Sequence, residues 1–500
     1  MTQGSASALP MIIQGGMGIG VSNWILANAV ASRGHMGVVS GTCIDSLFVR
    51  RLQDGDLGGH LRRAMESFPV PEVVDEVLDR YFRPHGLDEG EKYQLLPMWK
   101  QQVSAFREMV TVLSSYVEVW LAKEGHSGPI GMNLLTKIQM PNLSILYGSM
   151  LAEVDYVLMG AGIPKDIPGA LDRFSQHKPA TLRLDVSGPR GEEDDLIRFD
   201  PADHWPDGLP EALPRPRFLP IIASHSLARM LEKKANGRVD GFIIEAPSAG
   251  GHNAPPRGAT EINERGEPIY GERDVVDLEA VKELGLPYWL AGGSGSPQGL
   301  LDALASGAAG IQVGTLFAYT DESGLDPALK AKVLEEVRAG TVAMKTDLRA
   351  SPTGFPFKVV ELEGTNALAP EYEARQRICD LGYLRTAYRR EDGRVGYRCP
   401  AEPVDTFLKK GGTLEETKGR KCLCNALMAD IGHAQARDDE EGAERALLTS
   451  GDELLRMQDF LAGRTSYSAA DVLDHLLSGL EAGHDRAEAP TASRASSLLA

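Results

Sequence analysis

The sequence predicts an α/β fold in which eight parallel strands close into a (β/α)8 barrel, carrying a helical insertion and a mainly helical C-terminal appendage. Three observations predict it. Short apolar segments alternate with helical ones from residue 10 to about residue 320, the pattern of a parallel sheet with helical crossovers. Eight such strand–helix units can be counted, the number that closes this type of sheet on itself. The last two units, residues 287–320 (PYWLAGGSGSPQGLLDALASGAAGIQVGTLFAYT), end their strands in residues with little or no side chain, as a barrel does where it binds a ligand at its C-terminal mouth.

Taken in order, strands are expected near residues 11–14, 36–40, 129–133, 156–159, 218–223, 241–245, 288–291 and 310–313. Residues 1–9 are expected to be disordered and the barrel to span residues 10–340. Within it, residues 44–126 are too long for a loop and contain PEVVDEVLDRYF and WKQQVSAFREMVTVLSSYVEVWLAKEG, so a helical insertion is predicted. Residues 180–216 contain TLRLDVSG and DDLIRFD, which suggest a hairpin-like insertion. A polar loop, 253–274, directly follows a strand end, where active-site loops of barrels lie. After about residue 340 the alternation stops. Residues 341–483 are expected to form the helical C-terminal region, and the Ala/Ser-rich 484–500 a disordered tail.

Composition narrows the function. A formal net charge of −18 disfavours nucleic acid or an anionic membrane as the partner, because phosphate neutralisation needs clustered Lys and Arg. Five cysteines in 500 residues do not form a disulfide framework and favour a reducing, cytoplasmic setting. The start lacks a basic segment followed by a long apolar run, so no signal peptide is expected, and no apolar run is long enough to span a membrane. The spacing Cys422-x-Cys424, with Cys379 and Cys399 upstream, is not that of common zinc sites, so packed free thiols are expected and no metal.

Three segments carry candidate chemistry. In residues 287–320, Gly292, Gly293 and Gly295, then Gly314 and Thr315, leave backbone N–H groups free to face an anion; Ser296, Pro297 and Gly307 punctuate the helix between. The plain alternative is two tight turns that need glycine for positive φ. In GGMGIGVSN, residues 15–23, the G-x-G-x-x-G spacing fails and no acidic residue follows the next strand, which argues against a nicotinamide fingerprint. Gly15, Gly16 and Met17 could instead line a flat ring, or simply form a strand-to-helix turn. In IIEAPSAGGHNAPPRG, His252 stands behind Gly250 and Gly251 after an apolar strand, where an imidazole can serve as acid or base near neutral pH.

Together, MIIQGGMGIGVSN, IGMNLL, VLMGAGIP, SAGGH, WLAGGSG and GIQVGTLF resemble the nitronate monooxygenase (2-nitropropane dioxygenase) family, in a long form related to flavin-dependent enoyl-thioester reductases. The resemblance covers about residues 10–320 and implies an FMN-binding TIM barrel. It implies that the Gly15–Met17 backbone and Asn133 contact the flavin ring and that Gly250 and Gly251 lie along the cofactor. Gly292, Gly293, Gly314 and Thr315 would hold its phosphate, and His252 would be the active-site histidine. The family's E-A-G-G-H is here stretched over Glu245 to His252, which leaves Glu245 without a carried-over role. The expected activity is oxidation of a nitronate or nitroalkane by O2 to a carbonyl compound and nitrite. The alternative is NAD(P)H-dependent reduction of an enoyl thioester, with NAD(P)H as electron donor and a carrier-bound acyl substrate. A small-molecule or carrier-bound substrate is the expected partner, and a homodimer is compatible with the sequence.

Overall fold

The computed structural model of the protein describes residues 9–189, 195–205, 208, 211–438 and 442–488. Its centre is a ring of eight parallel strands: β1 (Ile12–Gln14), β2 (Gly37–Ser40), β3 (Ile130–Leu135), β4 (Tyr156–Gly160), β5 (Arg217–Ile222), β6 (Phe242–Glu245), β7 (Tyr288–Ala291) and β8 (Gly310–Val313). Their order is β1-β8-β7-β6-β5-β4-β3-β2, with parallel register throughout. The ring closes because Gln14 N donates to Met36 O (2.9 Å) and Met36 N to Ile12 O (3.0 Å). Each strand matches an expected segment to within a residue or two, since these are the chain's β-branched and aromatic runs bounded by glycine or proline.

Side-chain alternation sorts the strands into two apolar layers. Ile13, Val38, Leu158, Leu219, Ile243 and Trp289 fill the barrel interior, and Trp289 donates its indole N–H to Pro10 O at 2.7 Å. Their neighbours Ile12, Val39, Val157, Phe218, Phe242, Tyr288 and Ile311 face outward under the helices. Each such side chain, fully buried, contributes about 1.5–3 kcal/mol.

The stretch 44–126 holds helices Ile44–Gln53, His60–Met65, Pro71–Tyr81 and Ala105–Ala122. The last packs against helices Trp24–Ala31 and Asn142–Leu151, and so lies in the barrel's own helical ring. The approach is close: a Cβ on Gly148 would stand 2.1 Å from Val112 O. Within 180–216, strands Ala180–Arg183 and Leu196–Phe199 pair antiparallel.

The C-terminal region is richer in helix than strand, yet it contains two antiparallel pairs, Met344–Asp347 with Phe357–Val360 and Thr386–Arg389 with Val395–Arg398. It is not set apart from the barrel. Tyr383 donates its hydroxyl to Asp45, itself paired with Arg107 at 2.7 Å, so one buried network joins the C-terminal region to two helices of 44–126. Helix Ala469–Glu488 packs on helix Pro297–Ala305 and carries the chain through residues 484–488, so the disordered tail expected from residue 484 does not begin there. The remaining tail residues, 489–500, and residues 1–8 of the expected N-terminal disorder lie outside the described residues. Among the described residues, no helix is long and apolar enough to cross a membrane.

Candidate active site

The C-terminal mouth of the barrel opens into a cavity of about 210 Å³. Gly15, Gly16, Met17, Asn133, Gly250, Gly251, His252, Gly292, Gly293, Gly314 and Thr315 all line it. Segments separated by up to 300 residues thus meet because each lies near or just beyond the C-terminal end of a barrel strand.

The floor is cut for close approach. A Cβ on Gly16 would lie 2.2 Å from Asn133 Cβ, so the β1 loop and β3 touch only because residue 16 has no side chain. Gln14, buried beneath, ties this loop down: its amide donates to Gly15 O (2.6 Å) and Ser22 Oγ (2.8 Å) and accepts from Val38 N (2.9 Å). At the other end, Gly292 has φ +79°, and its Cβ would meet Ala246 O at 2.9 Å. The following helix is capped as its sequence predicts: Gly299 N donates to Ser296 Oγ at 3.0 Å, Pro297 opens the first turn, and Gly307 stands beyond the end with φ +87°.

His252 is held by the C-terminal region. Asn253 N donates to Pro356 O (2.9 Å) and Lys358 N to Gly251 O (3.0 Å), pairing residues 251–253 with the strand Phe357–Val360. The imidazole meets the Phe357 ring edge to face at 4.8 Å, and its Nε2 shares a hydrogen bond of 2.6 Å with Ser351 Oγ. Ser351 Oγ in turn lies 2.8 Å from Thr353 Oγ1. The ring opens to the cavity but is set deep in the protein, and this burial lowers its pKa to about 4. At neutral pH it is an uncharged donor and acceptor.

Three carboxyls share the cavity wall. Burial raises Glu245, at the end of β6, to about 7. It raises Asp430 to about 8, against the opposing hydrogen bond from Leu447 N (2.8 Å). Glu453 is also raised by burial. No lysine or arginine is among the described residues lining the cavity.

Ser351, which holds His252, and the lining residues Phe357, Asp430, Thr449–Gly451 and Glu453 are not singled out by sequence pattern. All lie beyond the strand–helix alternation. The only local signal is a run of small polar residues, Thr449-Ser450-Gly451, after the apolar Ala446–Leu448. The four C-terminal cysteines, Cys379, Cys399, Cys422 and Cys424, border one small separate cavity as free thiols, their pKa values raised by burial. No group of three or more His, Cys, Asp or Glu among the described residues is arranged to hold a metal ion.

Residues 217–371 match the family model for nitronate monooxygenase. A (3aS,4S,5R,7aS)-5-hydroxy-7a-methyl-1-oxo-octahydro-1H-indene-4-carboxyl-CoA dehydrogenase from Mycobacterium tuberculosis is 30% identical over 155 residues, 31% of this chain and 39% of that protein. A probable nitronate monooxygenase from Staphylococcus saprophyticus is 27% identical over 168 residues, 33% of this chain and 44% of that protein. The matches therefore span less than half the length of these curated relatives. Among solved structures, nitroalkane oxidase from Streptomyces ansochromogenes superposes with a TM-score of 0.48 at 15% identity, over 96% of this chain and 99% of that one. FabK from Thermotoga maritima gives 0.46 at 15% identity, over 96% and 94%. The matched segment begins at β5 and carries His252 and the glycine loops after β6, β7 and β8, so over this part of the barrel the chain is similar to the nitronate monooxygenase family.

Proposed function

We propose that the protein is an FMN-dependent oxidoreductase that converts a nitronate or nitroalkane, with O2, to a carbonyl compound and nitrite. One observation carries the reading: glycine loops from β1, β6, β7 and β8 converge with an uncharged histidine on a single cavity. The residues fit a flavin mononucleotide. Backbone free of side chains at Gly15–Gly16 and Gly250–Gly251 suits a planar ring, and the loops at Gly292–Gly293 and Gly314–Thr315 suit its phosphate. Gln312, also on the lining, has a buried Oε1 with no partner among the described residues, an acceptor left for a ligand donor.

Bound there, the flavin would carry electrons between substrate and O2. The chain's own residues bind, orient and handle protons. His252, neutral at working pH, can accept a proton from the carbon next to a nitro group or hydrogen-bond the anion that results. Ser351 anchors the ring through Nε2, its hydroxyl able to donate or accept as the tautomer requires, and Phe357 fixes the ring's tilt. Leu384, Leu423 and Leu427 from the C-terminal region give the cavity an apolar wall that excludes water.

That apolar wall favours a second reading, NAD(P)H-dependent reduction of an enoyl thioester, in which His252 would hydrogen-bond the thioester or protonate its α-carbon. The carboxyl-CoA dehydrogenase name of one relative supports it. Anaerobic bleaching separates the two. Loss of flavin colour with a nitronate but not with NADH or NADPH supports the first; the reverse, with turnover of a crotonyl-type thioester, supports the second. A protein that takes up no flavin overturns both. A cytoplasmic homodimer acting on a small-molecule or carrier-bound substrate belongs to the same proposal, its assembly measurable by light scattering.

A further inference from the structure

Residues 448–453 run from the C-terminal region across the glycine loops that follow β6, β7 and β8. Val360 N donates to Leu448 O (2.9 Å), Gly251 N to Thr449 Oγ1 (2.8 Å), Gly451 N to Thr315 Oγ1 (3.0 Å) and Asp452 N to Ser248 O (2.9 Å). Lys358 Nζ grips Asp452 Oδ1 at 2.6 Å. Packing is tight beneath the strap, where a Cβ on Gly250 would stand 2.7 Å from the Ser450 carbonyl carbon. At its end, Gly295 N donates to Glu453 Oε1 at 2.5 Å, and a Cβ on Gly295 would collide with that carboxylate at the same distance.

Gly295 belongs to the loop that also presents Gly292 and Gly293, the loop suited to a phosphate. A carboxylate oxygen on one of its N–H groups occupies a position suited to an anionic oxygen. Few charges oppose it. Asp452 and Arg456 on its own segment are the charged groups that act on it, Lys358 being engaged with Asp452. The facing loops 292–297 and 248–251 carry no titratable side chain. Burial raises the Glu453 pKa, and the Gly295 hydrogen bond and Arg456 oppose that rise.

Resting on the flavin reading above, we propose that the strap 449–453 completes the phosphate end of the cofactor site and that Glu453 is its resident anion. An entering phosphate takes the Gly295 N–H from Glu453 or meets that carboxyl protonated. The C-terminal region is then part of the cofactor site, and affinity for the phosphorylated flavin is linked to one proton.

The test uses the full chain freed of flavin and titrated with FMN and with riboflavin, which lacks the phosphate, by fluorescence quenching between pH 6 and 9. With one like charge removed, Glu453→Gln binds FMN about tenfold or more tighter than the parent at pH 9, and the gap narrows toward pH 6. Ionisation of the FMN phosphate is common to both proteins and cancels in the comparison. Riboflavin binds both alike. Equal FMN affinity in parent and variant across the range overturns the proposal, as does a shift of the same size for riboflavin. Binding of neither flavin overturns the flavin reading and this proposal with it. Should Glu453→Gln fail to fold, Glu453→Asp serves: the shorter side chain withdraws from Gly295 N, and FMN then binds tighter than in the parent.

Discussion

At the scale of single residues, placement decides chemistry more than residue type does. His252 is one of eleven histidines, and what distinguishes it is a serine partner, an aromatic wall and a cavity in front of it. Replacing it with alanine should leave flavin content unchanged and lower turnover about 10²-fold, the scale of losing a general acid–base, as steady-state kinetics on the loaded variant would show. Asp430 makes the complementary case. Its folded-state pKa of about 8 lies far above that of an unfolded aspartate, so the folded state holds the extra proton between about pH 4 and pH 8. The stability this confers is full below about pH 4 and is lost as pH rises through about 8. Thermal melts should therefore show stability declining across that window by at most about 1.4 kcal/mol per pH unit from this group. Asp430→Asn should flatten the decline. The location of His252 was legible because glycines and a strand end announce it. Asp430 was not, because nothing near it in sequence distinguishes a helix-end aspartate facing a cavity from one facing water.

At the scale of elements, the strands and their helices were the most legible part of the molecule. Their β-branched and aromatic runs and capping residues are local, and Ser296, Pro297 and Gly307 act on their own neighbours. The short strand Phe357–Val360 is different. It is buried throughout and matters because it pairs beside Gly251–Asn253 and sets Phe357 against His252. That pairing spans about a hundred residues and leaves no periodic trace in the chain. Phe357→Ala should cost about 3 kcal/mol in chemical denaturation, through the void left in a buried site. It should also raise the substrate KM, because the imidazole loses the face that fixes its tilt.

On the scale of the whole molecule, the barrel and the C-terminal region share a buried ion pair network. Arg107 and Asp45 are nearly inaccessible to solvent, and Tyr383 completes them from the C-terminal side. Removing one partner strands the other's charge, so Arg107→Ala should destabilise the protein by about 3–5 kcal/mol, measured by urea unfolding. Composition and alternation could reveal that the chain has a barrel and a further region. They could not reveal that the second closes over the first, because that depends on contacts between residues such as Ser46 and Tyr383, which share nothing in sequence.

The short first strand has consequences during synthesis. Ile12–Gln14 finds its two neighbours at Met36 and at Ile311–Val313. One edge must therefore wait, unpaired, until some three hundred further residues have left the ribosome. Contacts so distant along the chain slow folding and leave an open sheet edge exposed meanwhile. Nascent chains halted before β8 should accordingly be the ones most prone to capture by chaperones.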